Sequence, residues 1–163
     1  MSIPTATIEA TMYYRQIVAL LFLIGVCGCS RVDPAIRDCG GVREAYLEFL
    51  PSTERFTEYD LEIQYMIFIC GSQSQHPPLL FTNAMASEGE VAARFLARKL
   101  AESNHDLTTR DILDVYVEMA SQGSYDVRGD VALMALLERK VQSMRPSVWR
   151  DRSIEKLERL RRR

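Results

Sequence analysis

Apolar and polar positions along most of this 163-residue chain repeat with the period of a helix. In Val42-Arg-Glu-Ala45-Tyr46-Leu-Glu-Phe49-Leu50 the apolar residues fall at i, i+3, i+4, i+7 and i+8, and Pro51 stops the run. Thr57-Glu58-Tyr59-Asp60 has the form of a capping box with Asp in place of Glu. The helix it opens carries Ile63, Met66, Ile67 and Cys70 on one face, with Leu61, Tyr65, Phe68 and Ile69 beside it. That breadth predicts a central helix, with Gly71 at the position of a C-cap glycine. A loop SQSQHPP leads to a short helix over Leu79–Ala86. Ser87-Glu88-Gly89-Glu90 caps the next, which runs to Glu102. Thr108-Thr109-Arg110-Asp111 starts another, striped by Ile112, Val115, Tyr116 and Met119 and ended by Gly123. Asp130–Met144 follows, Pro146 breaks it, and Ile154, Leu157 and Leu160 mark a last helix. No segment alternates with period two for long enough to read as a strand. The pattern therefore predicts an all-α fold of six or seven helices.

GEVAARFLARKLAES (Gly89–Ser103) aligns with GDVALMALLERKVQS (Gly129–Ser143), 40 residues later, and Met-Ala-Ser precedes each copy. A period near 40 with two helices per unit resembles HEAT or armadillo repeats. The resemblance implies a short right-handed stack of helix pairs. Two amphipathic helices built from the same common helix formers would give the same match, and then the fold is an irregular bundle.

One run breaks the amphipathic pattern. Ile17–Val26 is ten residues without a polar side chain, preceded by Arg15 and closed by Cys27-Gly28-Cys29-Ser30. A spanning helix needs roughly 20 apolar residues, and a core helix needs a polar face, so the run reads as a secretory signal. Val26-Cys27-Gly28-Cys29 resembles the bacterial lipobox. The resemblance implies cleavage between Gly28 and Cys29, a diacylglyceryl group on the Cys29 sulfur and acylation of the new amine. Those chains would hold the protein to a membrane. Ser30 after the Cys implies the outer membrane, facing the periplasm, rather than the inner one. Met12 gives a more ordinary signal than Met1 and is the expected initiator.

The organisation expected on this basis is a signal at 1–28, a lipid-anchored linker at 29–40, a helical domain at 41–145 and a basic helix at 146–163. With Cys27 removed and Cys29 lipidated, Cys39 and Cys70 remain. In an oxidising compartment they are expected to pair. A loop of that length is worth roughly 3–4 kcal/mol in the chain-entropy account. Two separate thiols, with Cys70 in the core, are the alternative.

Charge divides the chain. Ser30–Met144 has 11 Lys and Arg against 18 Asp and Glu; Arg145–Arg163 has eight against three. The basic end is a solvated face, a contact for anionic lipid, or a surface that docks on acidic groups of this chain or a partner. Trp149, Arg159, Arg161, Arg162 and Arg163 are the candidate contacts. An acidic body on an exported chain argues against nucleic acid as partner.

Candidate chemistry changes this little. The two histidines, His76 and His105, belong to no HxxxH, HExxH or CxxC pattern, and there is no Gly-x-Ser-x-Gly or glycine-rich phosphate loop. Glu88/Glu90 and Asp111/Asp114 sit at helix starts, where acids serve as caps. No catalytic residue, metal ligand or cofactor is assigned beyond the lipid on Cys29. The expectation is a non-catalytic helical module, anchored in the envelope and bound to an envelope protein. The alternative is an immunity or inhibitor lipoprotein acting on an envelope-active toxin or enzyme.

Overall fold

A computed structural model describes residues 55–72 and 79–162, all within one compact unit, Asp33–Arg163. The signal, Gly28, Cys29, Cys39, the helix expected over Val42–Leu50, His76 and Arg163 lie outside the described residues. Every regular element among the described residues is helical. A 3-10 turn, Arg55–Glu58, precedes α1 (Leu61–Ser72), α2 (Leu79–Ser87), α3 (Glu90–Glu102), α4 (Asp106–Gln122), α5 (Val131–Ser143) and α6 (Val148–Arg162).

The stripe predicted for α4 lies at the centre of the described helices: Ile112, Val115, Tyr116 and Met119 are wholly buried. All five other helices pack on α4. The buried Tyr116 hydroxyl donates to the Ala93 carbonyl at 2.8 Å, which ties α4 to α3. At the front of the bundle Phe56 stacks on Phe81, with ring centres 4.8 Å apart.

Paired contacts give the helix directions. Asp106 holds Arg145, Arg110 lies on Trp149, and Asp114 holds Lys156, so α4 and α6 run the same way. The Ser124 hydroxyl donates to the Ala86 carbonyl at 2.6 Å, bringing the ends of α2 and α4 together. Lys140 donates to the Ala101 carbonyl at 3.0 Å, joining the ends of α3 and α5. Helices α2, α4 and α6 thus form one layer, and α3 and α5 form the other.

The echo between α3 and α5 is structural, in a different register. Both helices have 13 residues, and their N-caps, Gly89 and Asp130, stand 41 residues apart, not 40. Buried Ala92, Ala93, Leu96 and Leu100 correspond at that spacing to buried Leu133, Met134, Leu137 and Val141. The Gly89–Gly129 match sets the letters in line, but burial follows the caps.

Four end assignments differ from expectation. α1 continues through the buried Gly71 to Ser72; positive φ among the described residues belongs to Gly89 and Gly123 alone. Ser87 does not cap α3: its hydroxyl bonds back to the Ala84 carbonyl and closes α2, so Gly89, at φ 62°, makes the turn. α4 starts at Asp106, ahead of Thr108, which with Thr109 is buried inside the helix. The box at Thr57–Asp60 is also used differently: Thr57 lies in the 3-10 turn, and Asp60 itself stands at the N-cap of α1. Asp60 accepts from the Ile63 amide at 2.9 Å, Asp130 from the Leu133 amide at 2.9 Å, and Gly123 caps α4 at φ 69°.

Candidate binding cleft

The basic C-terminal segment is a structural helix. Ser153, Leu157 and Leu160 bury one face of α6 against the bundle. Its charges reach acids on other elements, Lys156 to Asp114 and Arg161 to Glu138 at 2.6 Å, and Arg145, just ahead of α6, reaches Asp106 at 3.2 Å. Arg162 pairs within α6 to Glu158 at 3.6 Å. Of the expected contact residues, Arg161 and Arg162 are therefore turned to acids of this chain.

Trp149 and Arg159 are different. They line one cleft of about 480 Å³ between α1, α2, α4 and α6, with Phe68, Leu79, Arg110, Asp111, Arg152 and Glu155 among its walls. The apolar side comes from α1 and α2, where Phe68 is buried and Leu79 is 78% exposed. Trp149 remains 39% exposed although two guanidiniums lie against its ring, Arg110 at 4.5 Å and Arg152 at 5.5 Å. Such contacts contribute about 0.5–1 kcal/mol each at an exposed ring.

Asp111 forms the floor. Its side chain is 4% exposed, and Oδ1 accepts from Arg110 Nε at 2.7 Å and Nη2 at 2.5 Å. Oδ2 is buried without a hydrogen-bond partner. Burial pushes the Asp111 carboxyl up to about 6; Arg110, and more weakly Lys156, pull it down, while Asp114 adds to the rise. Arg110 also reaches the Ser72 carbonyl at 3.4 Å, so one guanidinium links α1, α4 and α6.

Sequence reasoning placed Asp111 and Asp114 at a helix start and assigned no role to Arg110, Arg152 or Lys156. The available signal was the one-turn spacing of Asp111/Asp114 on one helix and Arg152/Lys156 on another. Only the packing of α4 on α6 brings the two rows together. His105 is the N-cap residue of α4, away from the cleft lining, and its side chain makes no cap bond. Cys70 is half-buried on α1 and is not a lone thiol. Among the described residues no three His, Cys, Asp or Glu side chains gather as a metal site, and no helix is long and apolar enough to cross a membrane. No protein-family model, curated protein or solved structure matches this chain.

Proposed function

We propose that the chain is a non-catalytic binding module, anchored in the bacterial envelope by lipid on Cys29, that recognises an envelope protein through the cleft between α4 and α6. The observation that carries this reading is the state of Trp149: an aromatic ring with two guanidiniums against its face that is still exposed at the cleft. Tryptophan and arginine dominate the energetics of recognition surfaces because they bring large contact area and directed hydrogen bonds together. The cleft's acids support binding over proton transfer. Asp114 is tied to Lys156, and Asp111 spends one oxygen on Arg110 and buries the other.

The same reading includes a Cys39–Cys70 bridge and a short HEAT-like stack. The latter draws support from the two-layer order and the shared 41-residue offset of caps and core. The outer membrane, facing the periplasm, is the proposed address, resting on Cys29 and Ser30.

A photocrosslinking side chain at Thr82 in the cleft, compared with one at the exposed Val131 on α5, tests the face. The expected result is one stoichiometric partner from Thr82 and none from Val131. Crosslinks from Val131 alone would contradict it. A captured toxin or envelope enzyme would make the module its inhibitor.

A further inference from the structure

The charges in the cleft are of two kinds. Arg110 and Lys156 are committed to Asp111 and Asp114. Arg152 and Arg159 are exposed and have no acid partner among the described ion pairs. They stand seven residues apart on α6, about 10 Å along the helix axis, so their long side chains can close on one group lying between them. Guanidiniums match a carboxylate with two parallel N–H donors. Beside them lie the apolar walls of Phe68, Leu79 and Trp149. One acceptor completes the lining: exposed Glu155, one turn from each arginine. A simple anion would use the arginines and leave this acceptor and the apolar walls without a partner. A peptide end brings a carboxylate, an apolar side chain and amide N–H donors at once.

We propose that the cleft captures the free carboxyl terminus of a partner protein, with Arg152 and Arg159 receiving the carboxylate and the last side chain seated against Trp149 and Leu79. The proposal rests on the cleft being the binding face. Its volume, about 480 Å³, is within the range of sites that enclose small ligands, and a two- or three-residue segment fits it. Recognition of terminal carboxylates is a recurrent way of reading a peptide without reading its whole sequence.

Trp149 is the chain's single tryptophan, so its emission reports the site directly. The probe is N-acetyl-glycyl-leucine titrated onto the full chain, against the same dipeptide with its terminus amidated. The acid is expected to shift Trp149 emission saturably, and the amide to bind at least tenfold more weakly. Arg159→Gln, at an exposed position, should weaken the acid about tenfold and leave the amide unchanged. A folded carrier protein ending in the same two residues should bind as the dipeptide does. Equal binding of acid and amide would overturn carboxylate capture while leaving the cleft as a binding face. Binding of the dipeptide but not the carrier would overturn a protein end as the occupant. If neither peptide moves Trp149, both the proposal and the cleft reading fall.

Discussion

Asp111 gives the molecule a pH signature. Burial raises its carboxyl to about 6, and Arg110 and Lys156 only partly offset this, so the folded state holds its proton more tightly than the unfolded chain does. The sign follows: between about pH 4 and pH 6 this group makes the fold less stable as pH rises, with a slope of at most about 1.4 kcal/mol per pH unit. Asp111→Asn removes that dependence. Urea unfolding at pH 4.5 and 6.5 should show the wild type losing stability relative to the variant by about 1–2 kcal/mol across the interval. Identical pH profiles would contradict the buried-carboxyl account. Tyr116 tests a different kind of burial. Its hydroxyl is enclosed and donates to Ala93, and burial also pushes its phenol well above the ordinary tyrosine range. Tyr116→Phe removes a buried donor from the Ala93 carbonyl, which keeps its bond within α3, and should cost about 0.5–1.5 kcal/mol in equilibrium unfolding.

The cap of α5 joins two roles in one side chain. Asp130 accepts from the Leu133 amide with one oxygen and from the Tyr125 hydroxyl, at 2.6 Å, with the other. The hydrogen bond from Tyr125, then the backbone bond from Leu133, hold the Asp130 carboxyl below its usual range. The same contact raises the Tyr125 phenol to about 12. Asp130→Ala should destabilise by about 1–2 kcal/mol and bring the Tyr125 phenol back toward ordinary titration, visible in ultraviolet difference spectra. A depressed carboxyl contributes stability above its unfolded range and loses it as pH falls through the folded value. Asp130 and Asp111 therefore tilt acid stability in opposite directions.

At this scale the sequence was most informative. The α4 stripe and the Gly123 stop are local patterns that appear where the spacing put them, whereas the cap expected at Thr57 falls instead at Asp60. Gly71 misled because it is buried inside α1, and Ser87 because its hydroxyl returns to the Ala84 carbonyl and closes α2 instead of capping α3. Gly89 then makes the turn that Ser87 was expected to prepare. Its φ is 62°, and a Cβ there would stand 2.9 Å from the Ser124 carbonyl oxygen. The cleft was not legible, because Arg110 and Asp111 are adjacent in sequence, a spacing that helical pairing rules do not connect. Its remaining walls come from helices far apart along the chain.

For the whole molecule, α6 decides whether the C-terminal segment is an appendage or a wall. Leu157 is 6% exposed and Leu160 4%, and the ion pairs to Asp114 and Glu138 bind α6 to α4 and α5, with Arg145 holding Asp106 just ahead of it. Leu157→Ala should lower the unfolding free energy by about 2–4 kcal/mol; a loss below about 0.5 kcal/mol would mean that α6 is a loosely held tail. With α6 in place, the cleft faces outward on a compact helical body, and the proposed anchor at Cys29 supplies an address. The intact mass of the membrane-extracted protein, before and after reduction and alkylation, is the decisive test of that anchor. The expected chain begins at Cys29 and is heavier by a diacylglyceryl and an acyl group, with Cys39 and Cys70 alkylated only after reduction. An unmodified chain that retains Leu20–Ser30 would contradict it.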